Sequence, residues 1–276
     1  MSFRSSLLSL ALCCVLPAAA VAQPQARAID LRYEITFAGL TGFIVDITAR
    51  LDGQSYDIES HTFKEGLIKA VTMHYIGRNR AWGRFGPEGA QPAGGSLSLA
   101  IGDKARTWLA QYGFGGAVQE AHQPEWKPQQ PDHQITDEQR RGSLDPLSAA
   151  MFTAFAGPSA CDRTIPTFDG KRRIDVILTK VGTDSAANTG VVEARGEAIV
   201  CTIHTKRVAG EFYNKEDETE SERQRPMRMW FVRLDDSQIY FPVKLEASTG
   251  FGTIRGQVTR HVQRPLNDAE RASLRR

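Results

Sequence analysis

The sequence lacks the short motifs that most hydrolytic enzymes carry. It has no Gly-x-Ser-x-Gly run, which excludes the strained turn that exposes the nucleophile of an esterase. Its six histidines form no His-x-His or His-Glu-x-x-His pair, so a zinc hydrolase has no anchor in the sequence. We therefore expect a protein that is not an enzyme, with no catalytic residue, no metal and no cofactor.

An excess of one charge sign is also absent. The 34 basic residues nearly balance the 32 acidic ones, which gives a net charge of +2. This balance gives no electrostatic reason to expect binding to nucleic acid or to an anionic membrane surface. After the N-terminal segment, no apolar run approaches the roughly 20 residues of a membrane span. We expect a soluble mature protein that is not an integral membrane protein.

The first 22 residues have the three parts of a secretory signal peptide. Arg4 gives the positive start, and Leu7–Leu16 forms an apolar core of about ten residues, within the usual range of roughly 7–15. The small residues at 20–22 complete a cleavage site. The alternative is a retained membrane anchor, but Pro17 ends the apolar run too early. We expect cleavage after Ala22 and a periplasmic location.

Cysteine is scarce, and its positions indicate a single disulfide. Cys13 and Cys14 leave with the signal peptide, and the residue before Cys13 is too large for a lipoprotein signal. Cys161 and Cys201 remain, and in an oxidising compartment such a pair predicts a disulfide. Closing this loop should stabilise the fold by about 4 kcal/mol. A metal site or a reactive thiol is the alternative, supported only by His204, three residues past Cys201.

Alternating apolar residues predict a β-sheet along most of the chain. Residues 29–37 alternate strictly, which is typical of a half-buried strand, and Asp52-Gly53 indicates a tight hairpin. Further strands are predicted at 43–51, 56–60, 71–75, 97–101, 106–112, 173–181, 191–208, 228–234, 239–245 and 252–262. The predicted fold class is mainly β: a curled antiparallel sheet, as a barrel, half-barrel or β-spiral, in a single domain over residues 23–276.

One interior helix is predicted after Ser143. Asp145 can cap it, and Pro146 occupies the first helical position, where its missing N–H costs nothing. The apolar residues that follow recur at helical spacing and form one stripe: Leu147, Ala150, Met151, Ala154 and Phe155. Gly157-Pro158 ends the helix. We expect it to plug or flank the sheet.

Several connecting segments are predicted from their composition. Gly, Pro and Ala crowd residues 83–95, which indicates a long turn or loop. Residues 119–142 are rich in Pro, Gln and charge and predict a long surface loop. Residues 214–225 predict a solvated hairpin tip, and Asp235-Asp236 a tight turn. Asn267, with Glu270 three residues later, predicts a capped C-terminal helix.

The densest basic cluster is a candidate binding rim. Asp169, Lys171, Arg172 and Arg173 follow one another on a turn and could contact a phosphate or carboxylate on a lipid headgroup or a cell-wall glycan. A solvated turn is the simpler alternative. Aromatic residues on the strands leave a similar choice, because they either fill the core of the sheet or line a cavity for an acyl chain.

The sequence resembles a proteobacterial envelope family, the domain of unknown function 3108. The resemblance covers most of the mature chain, from about residue 29 to residue 262. Its most specific parts are Tyr33, Gly39, Asp145–Ser148 (DPLS) and Phe168–Arg172 (FDGKR).

The resemblance implies a build similar to that of periplasmic β-spiral or half-barrel proteins that support envelope integrity. It also implies a more distant likeness to lipoprotein carriers with an apolar trough. We therefore expect a non-catalytic protein of cell-envelope maintenance that binds an envelope component, such as a lipid, a lipoprotein or a cell-wall component. The alternative is a carrier of lipid or lipoprotein acyl chains, and an envelope hydrolase is the least favoured function.

Overall fold

Thirteen strands form one antiparallel sheet in the computed structural model, which describes residues 26–66, 69, 74–86, 89–125, 134–191, 194–210, 227–234, 239–250 and 252–274. The strands are β1 (Arg27–Phe37), β2 (Leu40–Leu51), β3 (Ser55–Lys64), β4 (Tyr75–Gly86), β5 (Gly89–Ile101), β6 (Lys104–Tyr112), β7 (Val118–Gln123), β8 (Arg163–Phe168), β9 (Arg172–Ser185), β10 (Glu197–Gly210), β11 (Met227–Arg233), β12 (Tyr240–Thr249) and β13 (Gly252–Pro265). The predicted mainly β fold class is confirmed.

The strand order joins two meanders through the two ends of the chain. It runs β7-β6-β5-β4-β3-β2-β1-β13-β12-β11-β10-β9-β8. The first and last strands therefore lie side by side in the middle of the sheet, paired from Arg27 and Pro265 to Phe37 and Ile254. The edge strands β7 and β8 do not pair with each other within the described residues, so the sheet is curled but not closed.

The predicted strand periodicity of β1 is confirmed at its start, whereas Phe37 at its end is exposed. Ile29 and Leu31 are buried in the main core, on the inner face of the sheet. Ala28, on the other face, is also buried, because the C-terminal helix α3 (Asp268–Leu274) covers it with Leu274. The predicted capping box of this helix is confirmed, since Asn267 and Glu270 exchange backbone-to-side-chain hydrogen bonds of 3.0 and 2.9 Å.

The predicted interior helix is confirmed as α2 (Pro146–Phe155). Asp145 Oδ1 accepts hydrogen bonds from the backbone N–H groups of Leu147 at 3.0 Å and Ser148 at 2.9 Å. The helix lies inside the curl, with β4 and β5 on one side and β8 and β12 on the other. The sheet therefore wraps around α2.

The predicted single apolar stripe of α2 is wrong at Ala150. This residue is exposed, whereas Ser148, Ala149 and Thr153 are buried. A helix that a sheet surrounds does not have a single apolar face, because the surrounding strands bury several of its faces. The exposure of Ala150 marks a hollow between α2 and the sheet.

The loop predicted at residues 83–95 is wrong, because residues 83–86 and 89–95 belong to the paired strands β4 and β5. The glycines here make room for packing. A Cβ at Gly94 would overlap the Trp82 ring, and a Cβ at Gly89 would lie 2.7 Å from the ring of Phe152 on α2. Composition alone therefore suggested a loop. In the structure, the small residues lie in strands and leave room for aromatic rings to pack against them.

The surface loop predicted at residues 119–142 is also wrong in part. It contains most of β7 and a short helix, α1 (Asp137–Arg140), which has a capping box formed by Thr136 and Gln139. Residues 126–133 lie outside the described residues. Strand β8 was not predicted, and β10 begins at Glu197 rather than at residue 191.

Residues 134–145 form a strap across the opening between β7 and β8. On one side, the backbone N–H of Gly142 donates to Gly116 O at 3.0 Å, in the corner between β6 and β7. On the other side, Leu144 forms a parallel bridge with β8, through hydrogen bonds of 2.8 Å to Pro166 and Phe168. The strap leads directly into Asp145 and α2.

The predicted disulfide between Cys161 and Cys201 is present, with the two Cα atoms 5.8 Å apart. It fastens the segment that follows α2 to β10, and both cysteines are buried. The signal peptide, the hairpin tip at 214–225 and the turn at Asp235-Asp236 are predictions that lie outside the described residues.

Candidate functional site

An apolar trough lies between α2 and the half of the sheet formed by β8 to β12. Its volume is about 340 Å³. Its apolar lining comes from the helix and from five strands: Ala149, Ala150, Ile165, Ile174, Val176, Leu178, Ile203, Met229, Phe231 and Pro242. The exposed Ala150 is part of this lining, which explains why the helix shows an exposed alanine among buried neighbours.

Burial along the wall shows a closed floor and an open side. Leu178, Ile203 and Phe231 are buried, whereas Ile174 and Val176 on β9 are half-buried. The floor residues also pack around the disulfide, in one cluster with Cys161 and Cys201. The trough is therefore a preformed hollow that solvent reaches along β9.

The polar groups on the trough wall mostly satisfy their hydrogen bonds within the protein. The hydroxyl of Thr153 donates to Ala149 O at 2.9 Å, and that of Thr167 to Ile174 O at 2.9 Å. A ligand with hydrogen-bonding groups along its length would gain little there, since a satisfied hydroxyl offers no unpaired proton. The wall favours a hydrocarbon chain.

The structure places two of the four predicted rim residues at the trough. Asp169 and Arg172 line it, whereas Lys171 and Arg173 do not. Asp169 Oδ2 accepts from the Arg172 guanidinium at 2.7 and 2.9 Å. Arg173 instead pairs with Asp175 at 2.7 Å and donates to a backbone oxygen of the strap. Arg172 and Arg173 thus each pair with a neighbouring carboxylate, and the role of the cluster as a binding rim stays a prediction.

The turn that carries Asp169 is built on an aromatic contact. Asp169 Oδ1 accepts the backbone N–H groups of Lys171 and Arg172 at 3.0 and 2.8 Å, which fixes the turn. Gly170 has a φ of +88°, and a Cβ there would lie 2.6 Å from the Trp108 ring. The Phe-Asp-Gly-Lys-Arg sequence thus holds one carboxylate at the mouth of the trough.

A second, smaller cavity of about 50 Å³ adjoins the trough at Pro146 and Asp169, which line both hollows. Its walls come from β4, β5, β6 and the start of α2, and Asp145 is one of the lining residues. Burial raises the pKa of the Asp145 carboxyl. The sequence predicted Asp145 only as a helix cap, and no sequence signal indicated that it lines a cavity.

The sequence left open whether the aromatic residues fill the core or line a cavity, and most of the following residues lie in the core. Tyr56, Trp108, Trp230 and Phe241 are buried and do not line the trough. Phe231 is the exception, since its buried ring contributes to the trough floor. Most of these aromatic residues therefore fill the core of the described sheet.

Three features of the described residues bear on catalysis and membranes. No group of three or more His, Cys, Asp or Glu side chains is placed to hold a metal ion among the described residues. Glu120 contacts His122 at 3.0 Å, but it also accepts from Trp108 Nε1 at 3.0 Å and pairs with Arg140. This cluster fixes the strap to β7. No helix in the part of the chain that is described has the length and apolarity of a membrane span.

The fold and the trough define a curled single-sheet β protein that encloses one helix and leaves an apolar hollow beside it. The chain belongs to the family described as "Protein of unknown function (DUF3108)", whose sequence model matches residues 32–259. The predicted family resemblance is thereby confirmed.

A solved structure with a similar chain path is titled as a β-barrel-like protein of domain of unknown function DUF1849 from Brucella abortus. The two share 10% sequence identity, and the match covers 87% of this chain and 99% of that chain with a TM-score of 0.47. The comparison with curated proteins found no match.

Proposed function

We propose that this is a non-catalytic periplasmic protein of cell-envelope maintenance, which binds the acyl chain of an envelope lipid or lipoprotein in the apolar trough. The observation that carries the proposal is the trough itself, a hollow of about 340 Å³ beside α2. Its wall is apolar, and the hydroxyls of Thr153 and Thr167 in it are satisfied internally.

The dimensions and the chemistry of the trough support an acyl chain. Pockets for small ligands have volumes of roughly 300–1,000 Å³, and they combine apolar walls with a few polar groups. Here the Asp169–Arg172 pair supplies polar groups at the mouth. Each methylene that moves from water into such a wall contributes about 0.8 kcal/mol. A short hydrocarbon chain would therefore bind without any charged contact along its length.

The proposed location rests on the N-terminal segment and on the cysteines. A signal peptide over residues 1–22 would export the chain, and the Cys161–Cys201 disulfide suits an oxidising compartment. Lipids and lipoproteins with acyl chains are components of the envelope that an exported protein would meet. Of the functions expected from the sequence, the trough best supports the alternative, a carrier of acyl chains.

The proposal predicts that filling the trough abolishes acyl-chain binding. Ala150→Phe would place a ring in the hollow, because Ala150 is exposed on α2 and lines the trough. We expect the affinity for a dansyl-labelled fatty acid, measured by fluorescence titration, to fall at least tenfold. The matched control is Ala105→Phe, at an exposed alanine of β6 that does not line the trough, and it should bind as the wild type does.

Native mass spectrometry of protein purified from periplasm provides a second readout, because a bound lipid would add its mass to that of the protein. Failure of the wild type to bind the fatty acid would overturn the proposed function. So would an Ala150→Phe variant that binds it with unchanged affinity, since the probe would then occupy another surface.

A further inference from the structure

The small cavity beside the trough contains a carboxylate oxygen that the protein leaves without a partner. Asp145 is only 3% exposed, and its Oδ1 atom makes the two capping hydrogen bonds to α2. Its Oδ2 atom is buried and has no hydrogen-bond partner in the described part of the chain. Burying a carboxylate oxygen without a partner is costly, so a hydrogen-bond donor that reached this oxygen would stabilise the charged form of Asp145.

Two tyrosines lie near Asp145. Tyr112 has a buried hydroxyl that lies against the backbone of Asp145. The Tyr56 hydroxyl, in contrast, pairs with Ser148 Oγ at 2.8 Å. The Asp145 Oδ2 atom thus has no described hydrogen-bond donor at the start of α2, where the cap of the helix is already complete.

The charges around the cavity favour a cation as the missing donor. Asp145 and Asp169 both line the cavity, and Asp169 is already paired with Arg172. Arg80 also lines the cavity, but its guanidinium bonds Asp57 at 2.5 and 3.2 Å, on the outer side of β4. Asp145 is therefore the acid of this cavity whose charge has no described counterion. An anionic group would be repelled there.

The size of the cavity limits the donor to a small group. A volume of about 50 Å³ holds a few water molecules, or one ammonium group, and it is too small for a phosphate with its substituents or for a quaternary ammonium. Pro146 and Asp169 line both hollows, so a chain in the trough that ran towards Pro146 would bring its end next to this cavity.

We propose that Asp145 binds the primary ammonium head of an alkyl ligand whose chain occupies the trough. This inference rests on the proposed function, and it names the class of ligand: an amphiphile with a primary amine. The ammonium would donate to Asp145 Oδ2, and the alkyl chain would pass Pro146 and lie along α2.

The test compares two probes that have the same chain and charge. Decylamine carries three N–H donors at neutral pH, whereas decyltrimethylammonium carries none and has a larger head. We expect the wild-type protein, in calorimetric titrations below the micellar range, to bind decylamine at least tenfold more tightly. Asp145→Asn should reduce the ratio of the affinities for decylamine and decyltrimethylammonium to about one, with the affinity for decyltrimethylammonium unchanged.

Asp145→Asn is a conservative change, because asparagine caps helices about as well as aspartate. Asp103→Asn, at an exposed aspartate in the β5–β6 turn, removes the same charge elsewhere and should keep the wild-type ratio.

Each other outcome contradicts the inference in a distinguishable way. If the wild type binds both probes equally, the cavity holds water only, and the amine site is wrong while the trough remains a binding site. If the wild type binds neither probe nor the dansyl-labelled fatty acid, the proposed function fails as well. If Asp145→Asn does not fold, the ratio of the wild-type affinities for the two probes decides whether the amine site exists.

Discussion

At the scale of single residues, the glycines of the β4–β5 hairpin show how composition can mislead. Gly83, Gly89 and Gly94 lie within strands, and each has another group in the space that its Cβ would fill. The ring of Trp82 lies over Gly94, and Phe152 from α2 lies over Gly89. These glycines determine how closely the helix and the aromatic residues approach the sheet.

Replacing Gly94 therefore tests the packing directly. Gly94→Ala would force the Trp82 ring to move, and overpacking of this kind typically costs about 1–3 kcal/mol of unfolding free energy. Urea unfolding followed by circular dichroism measures the loss. Gly113→Ala is the matched control, because its backbone is extended and the nearest atom to an added Cβ lies at 3.7 Å. Equal stability of the two variants would contradict the packing argument.

At the scale of elements, the C-terminal helix α3 is held to the outer face of the sheet by Glu270. This carboxylate accepts two hydrogen bonds of 2.8 Å from Arg264 on β13 and lies 3.5 Å from Arg50 on β2. The hydrogen bonds from Arg264 lower the pKa of Glu270 from 4.5 to about 2. A charged residue of the helix thus connects the N-terminal and C-terminal halves of the sheet.

This pKa predicts how the docking of α3 depends on pH. Because the folded pKa is lowered, the stabilisation is fully present above the unfolded value of 4.5 and is lost as the pH falls towards 2. In Glu270→Gln, the unfolding free energy should change less over this window, while Asp268→Asn, an exposed acid of the same helix, should follow the wild type. Identical pH profiles for wild type and Glu270→Gln would show that the ion pair contributes nothing.

The elements also show what the sequence could and could not predict. The helix at Pro146 was predictable because capping and proline placement are local, and the strand at residues 29–37 because alternation is local. Strand β8 was missed because residues 163–168 contain a proline, which argues against a strand. Its pairing with β9 and Leu144 appears only in the folded structure. An apolar trough was expected only from the family resemblance. Its lining residues were beyond prediction, because the trough is the space left between five strands and a helix that only tertiary packing brings together.

At the scale of the whole molecule, the sheet depends on contacts between distant parts of the chain. The pairing of β1 with β13 joins residues more than 200 positions apart, such as Phe37 and Ile254. Ordering such contacts costs loop-closure entropy before they contribute any stability. The strap at residues 134–145 and the disulfide compensate in different ways, one by bridging the edge strands and the other by restricting the unfolded chain.

The disulfide should therefore contribute mainly through the unfolded state. Cys161 and Cys201 close a loop with a sequence separation of 40, which corresponds to about 4 kcal/mol in the chain-entropy model. The double variant Cys161→Ser/Cys201→Ser and the reduced wild type should both unfold at lower urea concentration than the oxidised wild type. Removal of Cys13 and Cys14 with the signal peptide would leave no other thiol to confuse the comparison.

Since Ile165 and Ile203 pack around the disulfide and line the trough, reduction should also weaken fatty-acid binding. Equal urea midpoints for the oxidised and reduced proteins would mean that the packed core alone holds the segment after α2 against β10.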